Sequence, residues 1–122
     1  MRILIVDDEP MVARTIGLIF RKHGFDSEIA ASADAAMAAA RANPPDIVLC
    51  DIDMPGRDGI SLMNELGREM PGCPIVVLTG HYQSLERVTQ CASKLSQSVS
   101  IATKPCQPAE LLRMAGSMLR SA

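Results

Sequence analysis

Five residues stand out for the chemistry their side chains could do together: the pair Asp7-Asp8, then Asp51, Thr79 and Lys104. Asp7 follows the apolar run Ile3 to Val6, Asp51 follows Ile47 to Cys50, and Thr79 follows Ile75 to Leu78. Lys104 comes just after Val99 to Thr103. If these runs are strands of one parallel sheet, their carboxyl ends meet along one rim, which is where ligands bind in open sheets of this kind. The three acids Asp7, Asp8 and Asp51 would then repel one another, two like charges ~4 Å apart by ~4 kcal/mol at an effective dielectric near 20. Such a cluster calls for a cation. Oxygen ligands with no histidine or cysteine nearby suit Mg²⁺, with Mn²⁺ as the second choice. A metal site beside a carboxylate, a lysine and a hydroxyl has the parts for phosphoryl transfer: the cations neutralise phosphoryl oxygens while the carboxylate attacks.

Taken singly, each residue has a plain structural account. An acid pair before a helix caps it, a Lys-Pro step belongs in a loop, and a threonine at a strand end satisfies a backbone group. Their arrival in order at one rim is what points to a site.

The elements that must position them can be read from periodicity. The three apolar runs lack alternation, as strands covered on both faces do, so helices should lie on both sides of the sheet. Pro10 opens a first helix with Val12, Ile16, Ile19 and Phe20 on one face, and Gly24 suits its stop. Phe25 to Ala30 is a weaker strand. Ala33 to Ala42 is alanine-rich enough to be helical before Pro44-Pro45 ends it. Ile60, Met63, Leu66 and Met70 recur at helical spacing up to Pro71-Gly72. Leu85, Val88, Ala92 and Leu95 make a fourth helical face, Val99 to Thr103 a fifth strand, and Pro108 opens a last helix with Leu111, Leu112, Ala115, Met118 and Leu119 inward. Five strand-helix repeats predict an α/β doubly wound domain with right-handed crossovers.

Composition narrows the function classes. The 122 residues suit one domain, 48% are hydrophobic, and the net charge of -2 comes without any block of like charge. That excludes disorder and leaves no basic footprint for direct contact with nucleic acid or an acidic membrane. Cys50, Cys73, Cys91 and Cys106 stand apart, with no pair at metal-ligand or redox spacing, so reduced thiols and a cytoplasmic location are expected. The opening apolar run ends at Asp7, too early for a signal peptide, and no run approaches the ~18 apolar residues of a membrane span. The eight methionines fall mostly on the apolar stripes, as core filler does. Two Phe, one Tyr and no Trp, with no glycine-rich phosphate loop, leave little to hold a flavin or nucleotide.

The combination VDDEP, IVLCDIDMPGRDG, VVLTG and TKP resembles the receiver domain of bacterial two-component response regulators, over essentially the whole chain. The resemblance implies a flavodoxin-like (βα)5 fold with strand order 2-1-3-4-5. It implies that Asp51 accepts a phosphoryl group from a sensor histidine kinase or phosphotransfer protein, and that the domain then signals through altered partner binding. Asp8, Asp51 and the backbone carbonyl of Asp53 would hold Mg²⁺, with Asp7 acting through water. Lys104 would pair with the phosphoryl group and Thr79 would turn its hydroxyl toward it. Any enzymatic activity would be limited to self-phosphorylation from small donors and slow dephosphorylation. The alternative is a haloacid-dehalogenase-type phosphatase, which shares an Asp-x-Asp after an apolar strand; those enzymes place that motif before their acid pair, whereas here the pair comes first.

Some positions depart from the family pattern. An acid at position 53, two after the phosphoacceptor, is unusual; with His81, two after Thr79, it is a candidate for tuning phosphate lifetime. Ile101 replaces the usual aromatic switch, Gln97-Ser98 the usual Gly-Ala, and Cys106 the aromatic after Lys-Pro. A monomer or weak dimer is therefore expected rather than the usual dimer on that face. In Gly56-Arg57-Asp58-Gly59, Asp58 reads as a helix cap. Only 17 residues follow Pro105, so the expectation is a single receiver domain over residues 1–122, with a natural start at Met1 and no output domain.

Overall fold

The computed structural model describes residues 1–54 and 59–121. The elements alternate without exception: β1 (Arg2–Val6), α1 (Pro10–Lys22), β2 (Asp26–Ala30), α2 (Ala33–Ala42), β3 (Ile47–Asp51), α3 (Gly59–Glu69), β4 (Ile75–Thr79), α4 (Tyr82–Ser93), β5 (Val99–Thr103) and α5 (Pro108–Ser121). The strands form one parallel sheet in the order β2-β1-β3-β4-β5. The expected doubly wound, flavodoxin-like architecture is thus borne out.

Every residue of β3 and β4 is buried, as their unbroken apolar runs require, whereas the edge strands β2 and β5 are only partly covered. Successive side chains of a strand point to opposite faces, and this divides the core in two. Ile3, Ile5, Ile47, Leu49, Val76 and Leu78 pack under α1 and α5 with Phe20, Leu111 and Met118. Leu4, Val6, Val48, Cys50, Ile75 and Val77 pack under α2, α3 and α4 with Met37, Leu62 and Leu66. Met37, Met54, Met63 and Met118 are core residues.

The face of α1 differs from the expected one. Val12 is 40% exposed, and Ala13 and Gly17 are buried beside Ile16 and Phe20. The small residues let α1 come close to β2: the Gly17 carbonyl accepts the Ser27 hydroxyl at 3.1 Å, and a Cβ on Gly17 would lie 3.4 Å from Ile29. Rotating the helix onto this contact turns Val12 out. The helix ends where expected, with Gly24 at φ +91°, a conformation that favours glycine. Helix α4 stops at Ser93, so Leu95 lies beyond it, yet Leu95 still packs against the core. Helix α2 carries a cap at Ser32, whose hydroxyl accepts the Ala35 N–H at 3.1 Å.

The sheet order reverses between β1 and β3, so their carboxyl ends are the topological switch point. Asp7 and Asp51 stand at those ends. Helix α3 starts tightly against the segment after β3: a Cβ on Gly59 would come 2.7 Å from the Ile52 backbone, which only glycine avoids. The proposed cap Asp58 and its neighbours Gly56 and Arg57 lie outside the described residues.

Candidate functional site

Three strand ends close with the same local device. The Asp7 carboxylate accepts the Glu9 N–H at 2.9 Å, the Asp51 carboxylate accepts the Asp53 N–H at 2.9 Å, and the Thr79 hydroxyl oxygen accepts the His81 N–H at 3.2 Å. A short polar side chain bonded to the backbone two residues on makes a turn, which is why Asp and Thr serve well as strand terminators. The structural and chemical accounts of these residues therefore coincide. The bond that ends each strand also fixes the side chain at the rim.

Adjacent parallel strands bring the ends together. Val6 pairs with Cys50 and Asp51 with Leu78, so Asp7, Asp51 and Thr79 follow one another across the sheet. Ligand oxygens of Asp7, Asp8 and Asp51 lie within 4.8 Å of one another. Asp51 is 2% exposed and Asp7 4%, while Asp8 is half-buried. From the end of β5, Lys104 places its Nζ 2.9 Å from Asp51 Oδ2. Sequence reasoning brought these residues to one rim, and they meet there.

The electrostatics follow from that crowding. Burial pushes the Asp7 carboxyl above its ordinary value; the Glu9 N–H pulls it back, Asp51 and Asp8 add to the push, and Lys104 opposes them. Burial works against the Lys104 ammonium, but its hydrogen bond to Asp51 and the charges of Asp51, Asp53 and Asp7 outweigh this and hold its pKa above the ordinary lysine value. Lys104 is thus a fixed cation facing a surplus of negative charge. Three carboxylates against one ammonium leave room for a further cation, and an all-oxygen donor set on a partly open rim fits Mg²⁺. The cysteines do not compete: none of them is in a disulfide, and burial drives the thiol pKa up at Cys50, Cys73 and Cys106, that of Cys73 to about 11.

Not every rim side chain faces Asp51. The Thr79 hydroxyl is held in its own turn, accepting the His81 N–H and donating to the His81 carbonyl at 3.3 Å. His81 is exposed at the start of α4. The Asp53 carboxylate reaches away from the acid cluster: Oδ2 accepts the Gly80 N–H at 2.9 Å and Oδ1 accepts the Ser84 hydroxyl at 3.4 Å. Gly80 and Ser84 had not been singled out in the sequence. The only signal there was the unusual acid at position 53, and nothing local distinguishes Ser84 from any helix serine.

On the departing face, Ile101 is half-buried on β5, paired with Val77 and packed against the core beneath α4. Gln97 is buried and donates to the Met70 carbonyl at 3.2 Å. Cys106 lines a groove of about 480 Å³ that runs from Asp7 and Lys104 past Met11, Val12 and Thr15. Among the described residues, no helix is long and apolar enough to cross a membrane.

Comparisons with known proteins agree with this geometry. Residues 3–115 match the family model of the response regulator receiver domain. The chain is 35% identical over 119 residues to the DNA-binding response regulator MtrA of Mycolicibacterium smegmatis, covering 98% of this chain and 50% of that protein. It is 30% identical to the probable transcriptional regulatory protein TcrX of Mycobacterium tuberculosis, covering 97% and 49%. The chain thus spans about half the length of the curated relatives it matches. Among solved structures, a CheY-like receiver domain protein from Methanospirillum hungatei superposes with a TM-score of 0.89 at 28% identity, over 98% of this chain and 94% of that one. The receiver domain of a Francisella response regulator does so with 0.85 at 27%, over 98% and 97%. These likenesses support the switch and lend nothing to the phosphatase alternative. With five parallel strands in this order and the acid pair that follows β1 ahead of the acid that ends β3, the chain belongs to the response regulator receiver domains, which act in phosphorylation-dependent signalling.

Proposed function

We propose that Asp51 is the phosphoacceptor, taking a phosphoryl group from a sensor histidine kinase or a phosphotransfer protein. The observation behind this is the placing of one buried carboxylate at the end of β3 among Asp7, Asp8 and the Lys104 ammonium. A carboxylate oxygen of Asp51 attacks phosphorus; the new O–P bond forms as the P–N bond of the donor phosphohistidine breaks. The departing imidazole nitrogen keeps the electron pair and takes a proton from solvent. Lys104 offsets the negative charge on the phosphoryl oxygens, and Thr79 supplies a hydroxyl to them once it leaves its turn.

Asp8, Asp51 and the Asp53 carbonyl would hold Mg²⁺, with Asp7 acting through water. The ion's chemistry, when bound, is neutralisation of charge on carboxylates and phosphoryl oxygens. The groove beside Asp7 and Lys104, walled by Met11 and Val12, gives a donor protein an apolar footing next to the acceptor. Asp53 and His81 flank the rim and set the lifetime of the acyl phosphate. Replacing each with alanine and timing loss of phosphate checks that part, and unchanged lifetimes would refute it.

The central reading is tested by incubating the protein with Mg²⁺ and acetyl phosphate and recording intact mass. One phosphoryl adduct is expected, absent from Asp51→Asn. No adduct on the wild type, or one that survives in Asp51→Asn, would overturn it.

A further inference from the structure

We propose that the Asp53 side chain is a latch, holding the β4–α4 connection in its unphosphorylated arrangement until negative charge on Asp51 releases it. This rests on Asp51 being the phosphoacceptor.

The hydrogen bonds at the ends of β1, β3 and β4 are local, each closing a turn within its own connection. Those of the Asp53 carboxylate are not. From the segment after β3 it bridges to the N–H of Gly80, which follows β4, and to the hydroxyl of Ser84 in the first turn of α4. One acceptor group thus holds two donors of a neighbouring connection, while the Thr79 hydroxyl is turned onto His81. Three donors of the β4–α4 connection are therefore committed inside the protein.

The latch sits where it will feel the modification. Its backbone N–H is bonded to Asp51 itself. Gly80 lies against Lys104, with a Cβ built there 3.5 Å from Lys104 Cδ and 3.9 Å from Asp53 Oδ2. The acyl phosphate carries about -1.5 to -2 charges in place of the single charge of the Asp51 carboxylate, a net gain of about half to one negative charge, and sets it farther out on three acceptor oxygens. It repels the Asp53 carboxylate, draws the Lys104 charge that helps to hold that carboxylate, and competes for the donors Asp53 now occupies. These interactions differ between the latched and released arrangements, which is the condition for a modification to shift their populations. Asp53 is in this account a positioning residue acting through Gly80 and Ser84.

The test uses the full chain, ¹⁵N-labelled, at saturating Mg²⁺, with beryllofluoride as the phosphoryl analogue. In the wild type, the Gly80 amide is expected to move away from the position of a carboxylate-bonded N–H and to exchange faster when beryllofluoride binds. Asp53→Ala keeps the backbone carbonyl and should show that released signal without the analogue, binding it about three- to tenfold more tightly, the scale of one net hydrogen bond. Ser84→Ala retains every charge and should tighten binding about twofold. The latch is overturned if the wild type binds beryllofluoride with the Gly80 amide unmoved. It is equally overturned if Asp53→Ala binds more tightly while Ser84→Ala matches the wild type, since charge alone then accounts for the change. A wild type that fails to bind the analogue at all overturns the phosphoacceptor reading, and the latch with it.

Discussion

The two ends of this sheet carry the same charges to different effect. At the carboxyl end, Asp7, Asp8 and Asp51 face Lys104; at the amino end, Asp26, Glu28 and Asp46 surround Arg2. Each has three acids to one base. Arg2 makes ion pairs of 2.7 and 3.3 Å to Asp26 and Glu28, both substantially exposed, so water screens what the arginine leaves unbalanced. Asp7 and Asp51 are nearly inaccessible, and their repulsion has no such outlet. Inventory is similar at both ends; burial is what leaves one of them with negative charge that neither Lys104 nor water offsets.

The contrast breaks most sharply at Asp51. Asp51→Asn should abolish phosphorylation by acetyl phosphate altogether, read by intact mass, whereas Arg2→Ala at the opposite end should leave the yield unchanged. Lys104→Ala comes next. It removes the ammonium paired with Asp51, and the rate of adduct formation should fall by about 100-fold, the scale seen when a preorganised charge-stabilising donor is deleted.

Stability supplies the finer comparisons. Asp7→Asn removes one member of a buried like-charged set, each pair of which repels by about 3 kcal/mol at 4.8 Å and an effective dielectric near 20. In chelator, the variant is expected to be more stable than the wild type by about 1–3 kcal/mol in urea unfolding, and added Mg²⁺ should stabilise it less than the wild type. A variant less stable than the wild type would show that the Glu9 turn outweighs the repulsion. The smallest effect belongs to the amino end, where Arg2→Ala should cost at most about 1 kcal/mol, because its partners are solvated.

Much of this was legible in the chain. The alternation of elements, the span of α2 and β5 and the residues meeting at the rim follow from where apolar runs end and which residues stop them. Val12 was misplaced because periodicity finds a helix but weighs a valine above an alanine or glycine, whereas α1 approaches β2 through Ala13 and Gly17. Leu95 fitted the α4 period although the helix had already ended. The partners of Asp53 were out of reach, since Gly80 is 27 residues away and Ser84 31. No local preference encodes a bond made only because β4 lies beside β3.

By itself, then, the sequence determined which side chains stand at the carboxyl rim. Long buried runs must end at a polar residue that can take up the next backbone N–H, and Asp7, Asp51 and Thr79 each do so within two residues. Only the tertiary structure decided which donor each oxygen meets. That depends on strand order and register, which place Lys104 on Asp51 and leave the Asp53 carboxylate to bind the neighbouring connection.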